Sequence, residues 1–311
     1  VLSTMQARAY EGGDPDAIIT DCVAGMNEIR RHDGSSLKSY RDLMREGFGE
    51  IERRYELARE GKIAGIPTGF KDLDTKLQGF QPQLYLLAGA SGMGKTALAA
   101  QFMRTAAAHF LRTWEETLPE VRPPKPDSVG LISLEMAPAQ LALRDIASMS
   151  DVPLSRILAG SVHDLDWPRL TNAAGIGDAL PIFCEFSAFA YSQMARTIDI
   201  MTQQLNAKMI LFDYLQLGHC DEHDGTREQE VTKLLRLHMQ KVKQHGIPHI
   251  IISSLNKGMG ARQDKRPTNS DLRDSGSLEF DADVILFVYR DEVYNCKCSK
   301  PPLPCNCGRR G

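Results

Sequence analysis

Three short stretches carry residue types at spacings that can do chemistry. The first, Gly89-Ala-Ser-Gly-Met-Gly-Lys-Thr96, satisfies the phosphate-loop pattern G-x-x-x-x-G-K-[ST] in full. Gly89, Gly92 and Gly94 allow a tight turn that points the N–H groups of the loop, those of Ser91 and Met93 included, at phosphate oxygens. Lys95 is spaced to reach the outer phosphates of a nucleoside triphosphate, and Thr96 to ligate Mg2+ through its hydroxyl. The second stretch, Leu131-Ile-Ser-Leu-Glu-Met136, ends an apolar run with Glu135, a carboxylate able to polarise water for attack on a terminal phosphate. The third, Met209-Ile-Leu-Phe-Asp213, is four apolar residues and then a carboxylate, the pattern that holds Mg2+. Together they can hydrolyse ATP with Mg2+. The bland alternatives are a glycine turn, an ordinary surface Glu and one of the many buried strands that end in Asp.

Such a loop works only between a strand and a helix N-terminus, whose partial positive charge adds to the phosphate field. Leu84–Ala88 reads as the strand, and Lys95 to about Leu111, rich in Ala, Leu and Met, as the helix. Further strands are predicted at 129–133, 182–186, 209–213, 248–253 and 283–289, with helical stretches between most of them. Apolar strands alternating with helices mean an α/β fold with a mostly parallel central sheet covered on both faces. Residues 111–128 hold Pro119, Pro123, Pro124 and Pro126 and read as a surface loop. Ahead of this core, Asp14-Pro15-Asp16 signals a helix over 14–31. A second helix is predicted from Leu37 to Glu60, where Leu37, Tyr40, Leu43, Met44, Phe48, Ile51 and Tyr55 form one apolar stripe. That stripe needs a partner, either the chain's own core or a neighbouring subunit. The organisation read from this pattern is a helical remnant over 1–36, a linker helix and hinge over 37–64, and the ATPase core over 65–311.

Composition sets wider bounds. The chain of 311 residues is 42% hydrophobic and 25% charged, ordinary for a globular protein with a large core. No apolar run approaches 18 residues, so no membrane span is expected, and the start has no secretory pattern, so the expected location is cytoplasmic. The start, Val1-Leu-Ser-Thr-Met5, also reads as a cut from something longer. A net charge of −3 excludes a uniformly basic surface, so any nucleic-acid contact must be local. One segment fits. From 257 to 273, Lys257, Arg262, Lys265, Arg266 and Arg273 stand against Asp264 and Asp271, an excess of +3. Flexible at Gly258 and Gly260 and without an aromatic, it suits phosphate contact and not base stacking; the plain alternative is a solvated charged loop. Of seven cysteines, Cys296, Cys298, Cys305 and Cys307 make two close pairs at the end of the chain. Four thiolates can bind Zn2+ tetrahedrally, yet C-x-C is tighter than the commoner C-x2-C, and a flexible insertion over 296–307 is the alternative. The eight histidines form no ligand pattern.

Longer stretches carry a family resemblance: Gly65-Ile-Pro-Thr-Gly-Phe-Lys-Asp-Leu-Asp74, the phosphate loop, Ser133-Leu-Glu-Met136, Asp213-Tyr-Leu-Gln-Leu217 and Asp264-Lys-Arg-Pro267. The most distinctive is Ser270-Asp-Leu-Arg-Asp-Ser-Gly-Ser-Leu-Glu-Phe-Asp-Ala-Asp283, followed by Tyr289-Arg-Asp291. From about residue 14 onward the chain resembles the RecA-like motor domain of DnaB-type replicative DNA helicases. The resemblance implies a homo-hexamer that hydrolyses ATP to translocate on single-stranded DNA and unwind a duplex, with a primase and a helicase loader as partners. It implies Lys95 and Thr96 as the phosphate-loop pair, Glu135 as the catalytic glutamate and Asp213 as the Mg2+ carboxylate. Arg144 and Ser254 fall near the nucleotide. It places Arg262, Lys265 and Arg266 on the DNA side, with Arg273, Asp274 and Gly276 in the strand-gripping loop, and makes residues 37–60 a linker helix docked on the next subunit.

The chain departs from the family pattern at three places. Ser254 stands where a Gln usually reports on the terminal phosphate, and Phe280 stands where Gln is usual. Nothing in the sequence matches the family's Lys-x-Arg finger, which activates a neighbour's ATP. Two other classes stay open on these grounds: a RecA-like recombination or clock-type ATPase, and a non-hydrolysing assembly subunit.

Overall fold

The computed structural model describes residues 38–221, 226–255, 264–272 and 281–294. The predicted helix over 14–31, parts of the basic segment and the cysteine tail lie outside them. The chain divides into two units, with the division after Lys62. The described part of the first is one helix, α1 (Tyr40–Arg59). It starts three residues later than the apolar stripe because Ser39 caps it, accepting a hydrogen bond from the Asp42 N–H at 3.2 Å. Glu50 bridges to Arg53 and Arg54 on the polar face. The stripe residues Tyr40, Leu43, Met44, Phe48, Ile51 and Tyr55 are all exposed, and no residue of α1 is buried.

The second unit runs α2 (Lys71–Leu77), β1 (Leu84–Gly89), α3 (Lys95–Glu116), β2 (Ser128–Ser133), α4 (Pro138–Ser150), α5 (Leu154–Leu158) and α6 (Trp167–Ala179). It continues with β3 (Ile182–Glu185), α7 (Tyr191–Gln203), β4 (Ala207–Asp213), α8 (Arg227–His245), β5 (His249–Ser254), β6 (Val284–Phe287) and α9 (Asp291–Tyr294). The six strands form one sheet in the order β3-β2-β4-β5-β1-β6, and every pairing is parallel. Because side chains alternate, each central strand feeds two cores. Leu84, Leu86, Ile210, Phe212 and Ile251 pack with Met194, Ile198, Val231 and Leu234 of α7 and α8. Tyr85, Leu87, Met209, Leu211, Ile250 and Ile252 face the other way, onto Ala99, Phe102, Met103 and Ala106 of α3. The alanines bring α3 close to the sheet. Gly130 does the same on the opposite face: a Cβ there would lie 2.6 Å from the Met201 sulfur and 2.7 Å from Ile210 Cδ1.

Two expectations shift. The phosphate-loop helix continues past Leu111 to Glu116, since the first proline comes only at Pro119. The loop that follows is held by Trp114, whose Nε1 donates to the Pro123 carbonyl at 2.8 Å while Arg122 stacks 4.8 Å over its ring. The last strand is shorter than predicted, Val284–Phe287. Its approach is pinned by Asp283, whose carboxylate accepts from the Leu84 N–H at 2.8 Å. The Gly65–Asp74 stretch is likewise a structural clasp. Ile66 bridges Phe80, the Asp74 carboxylate accepts from the Thr68 N–H at 2.8 Å, and a Cβ on Gly65 would sit 2.6 Å from the Phe80 carbonyl oxygen. Among the described residues no helix is long and apolar enough to cross a membrane.

Candidate active site

Parallel strands deliver their carboxyl ends to one edge, where α/β folds bind ligands. At that edge β1 ends in Gly89, β2 in Ser133 and β4 in Asp213, while β5 ends in Ser254. Register aligns them in pairs: Gly89 sits opposite Ser254, and Ser133 opposite Asp213. Glycine is required in the loop, where Gly92 and Gly94 adopt φ of 78° and 95°. Gly89 is confined differently, since a Cβ there would lie 3.0 Å from the Val288 carbonyl oxygen. Ser91 is exposed, and Met93 is buried as the apolar foot of the loop.

Lys95 folds back into the loop, donating to the carbonyl oxygens of Gly89 at 2.8 Å and Ala90 at 3.1 Å. Burial lowers its pKa, against the raising influence of Asp213 and Glu135, so both carboxylates act on this ammonium. Asp213 is 2% exposed, and neither carboxylate oxygen has a well-directed hydrogen bond among the described residues. Burial pushes its carboxyl up to about 6; the nearby Thr96 hydroxyl opposes the rise, as do Lys95 and Arg144, while Glu135 adds to it. A buried carboxylate left open in this way beside the Thr96 side chain fits a hard divalent cation, so the residues present suit Mg2+. Glu135 is exposed one residue past the buried Leu134, where water can reach it.

Arg144 lies exposed on α4, a helix locked to α3 by the buried Arg104–Asp145 ion pair. Arg104 also donates to Gln101 at 2.8 Å and Ser148 at 3.2 Å. None of these anchors was visible in the sequence, because an ion pair 41 residues apart has no local pattern. Gln216 gave no signal either: its side-chain amide donates to Ser253 Oγ at 2.9 Å, joining the Asp213 loop to the end of β5.

The basic segment leaves and rejoins the fold beside this edge. Leu255, next to Ser254, bridges Leu272, and Asp271 accepts from the Thr268 N–H at 2.8 Å and its hydroxyl at 3.0 Å. Lys265 is half-buried and Arg266 exposed, its N–H donating to Asp264 at 2.9 Å. Arg262, Arg273, Asp274 and Gly276 lie outside the described residues, as do Phe280 and the four tail cysteines. Among the described residues no cluster of His, Cys, Asp and Glu is set to hold a metal.

The family model for the DnaB-like helicase C terminal domain matches residues 65–304. The chain belongs to this family. Similar DnaB-family proteins include the replicative DNA helicase DnaB of Buchnera aphidicola subsp. Baizongia pistaciae, 33% identical over 88% of this chain and 56% of that protein. The replicative DNA helicase DnaC of Bacillus subtilis is 32% identical over 87% of this chain and 56% of its own length. The chain therefore spans little more than half the length of these relatives. Among solved structures, a helicase ATPase domain superposes with a TM-score of 0.73 at 27% identity, covering 85% of this chain and 88% of that one. A DnaB-like replicative helicase described with its interactions with primase gives 0.74 at 25% identity, covering 96% and 66%. The RecA-like ATPase fold expected for the DnaB family is thus the fold observed.

Proposed function

We propose that this chain is the ATP-hydrolysing motor of a replicative DNA helicase. One observation carries the reading: adjacent strand ends bring the phosphate loop, Asp213 and the anchor of the basic segment to a single edge. The loop N–H groups and Lys95 bind and orient the phosphates of ATP. Mg2+, when bound by Thr96 and Asp213, neutralises charge on the transferring phosphoryl group. Glu135 orients the attacking water and takes its proton. Arg144, held by the Arg104–Asp145 pair, adds positive charge beside the site. Ser254, opposite Gly89, is two bonds shorter than the family's Gln, so the signal from the terminal phosphate passes to the basic segment through backbone at Ser254 and Leu255.

Arg262, Lys265, Arg266, Arg273, Asp274 and Gly276 are proposed to grip the backbone of single-stranded DNA. The exposed stripe of α1 is proposed to pack on a neighbouring copy in a hexamer, with a primase and a loader as further partners. A motor at a replication fork works in the compartment that holds the DNA, the cytoplasm. Zinc at Cys296, Cys298, Cys305 and Cys307 rests on spacing alone, and metal analysis before and after chelation tests it. Family membership and the complete set Lys95, Thr96, Glu135 and Asp213 speak against the recombinase, clock-type and non-hydrolysing readings. The experiment is strand displacement on a forked duplex. ATP-dependent unwinding is expected; hydrolysis that neither responds to single-stranded DNA nor drives unwinding would refute the helicase reading.

A further inference from the structure

Ser133 is the last residue of β2, and its side chain is out of place by ordinary rules. It is 2% exposed, and its hydroxyl meets no hydrogen-bonding group among the described residues. A buried hydroxyl without a partner costs free energy that alanine would not incur. Its surroundings show what the hydroxyl faces. Strand alternation puts Leu131 and Ser133 of β2 on the same face as Leu211 and Asp213 of β4, and register sets Ser133 directly opposite Asp213. These four side chains, with Thr96, Ala100, Met103 and Leu141, enclose a cavity of about 10 Å3, the size that holds one water. Its polar lining is Ser133, Thr96 and Asp213, and both Asp213 oxygens also lack a well-directed hydrogen bond. A space for one water with that many polar neighbours meets the requirement for an ordered buried water.

We propose that Ser133 is a positioning residue for the Mg2+ of the nucleotide site, holding with Asp213 a water of the metal's hydration shell. Mg2+ sheds its waters reluctantly and is held in part through them. A water between Ser133 and Asp213 donates one hydrogen to the carboxylate and the other to Ser133 Oγ. This fixes the carboxylate rotamer with respect to Thr96. The proposal rests on the reading of Thr96 and Asp213 as the Mg2+ residues.

The test compares wild type, Ser133→Ala and Asp213→Asn by titrating a fluorescent ATP analogue in EDTA and then adding Mg2+. Loss of an outer-shell partner typically weakens metal binding 10–100-fold. Ser133→Ala is expected to raise the Mg2+ concentration needed for half-effect about 10-fold while leaving analogue binding in EDTA unchanged. Melting of the nucleotide-free protein supplies a readout that a structural role would move the other way. The variant should melt at the same or a higher temperature, because an orphaned hydroxyl has been removed, and should gain less from Mg2+ plus analogue. An unchanged Mg2+ requirement in Ser133→Ala, with the requirement lost in Asp213→Asn, overturns the role of Ser133 alone. An unchanged requirement in both overturns the assignment of Asp213 and the proposal with it. A lower melting temperature without nucleotide, with normal Mg2+ response, would make Ser133 merely structural.

Discussion

Acid should unfold this protein through one pair of histidines. His238 of α8 and His249 at the start of β5 are both fully buried, with their Nδ1 atoms 3.0 Å apart. That contact needs one ring to donate and the other to accept, which two neutral imidazoles can do. Neither Nε2 has a partner among the described residues, and the Phe212 ring lies 4.9 Å from His238. Burial drives His238 down to about 3 and His249 well below its ordinary value, where His238, His245 and Lys241 add to the fall. Above pH 6.5 both rings are neutral whether the chain is folded or not, and the pair contributes no pH dependence. Below 6.5 the unfolded chain takes up protons that the native state refuses, so stability falls with pH until the native rings titrate. At pH 5 the loss is RT ln(1 + 10^1.5), about 2 kcal/mol per histidine and about 4 kcal/mol for the pair. That is a large share of a typical total of roughly 5–15 kcal/mol. Urea unfolding at about pH 7.5 and pH 5 measures it, with the double variant His238→Leu, His249→Leu as control. Replacing both partners by apolar groups is tolerated, and the wild type should lose about 4 kcal/mol more than the variant across this interval. Equal losses in the two proteins would refute the reasoning.

Gly130→Ala should destabilise by about 1–3 kcal/mol, the usual cost of overpacking, since its Cβ would collide with Met201 and Ile210; a melting temperature equal to wild type would show that α7 gives way freely. Arg266→Ala and Arg273→Ala should each weaken single-strand binding alike for all sequences and reduce the salt slope by about 0.7 for each phosphate no longer neutralised. Filter binding at several salt concentrations reads this, and a sequence-dependent loss would contradict backbone contact. Leu43→Ser with Phe48→Ser should dissociate the assembly while leaving a folded chain that still binds nucleotide; light scattering showing an unchanged mass would remove α1 from the subunit interface.

The chemistry was legible where it is local. The phosphate loop, Glu135 and Asp213 are read from neighbours within a few residues, and the apolar runs before them name the strands that carry them. Helix bounds moved by a few residues, because Ser39 decides where α1 begins and Pro119 comes too late to stop α3 at Leu111. What register and tertiary packing create was not legible. Ser133 lies inside a motif quoted for its glutamate, and only its position opposite Asp213 gives its hydroxyl a role. His238 and His249, eleven residues apart across a helix and a strand, show no spacing signal. The family's Gly65–Asp74 and Asp283 residues carry a clasp and a strand anchor, which a motif alone does not distinguish from chemistry.

The central claim is that ATP is hydrolysed at the loop from Gly89 to Thr96. Phosphate release with and without single-stranded DNA, wild type against Lys95→Ala, tests it most directly. Lys95 bonds only to the loop carbonyls, so its removal leaves the core intact while withdrawing charge from the transition state. Turnover should fall by about 100-fold or more, with unchanged melting in the absence of nucleotide. A variant that melts like wild type and still turns over ATP at near-normal rate would contradict the account.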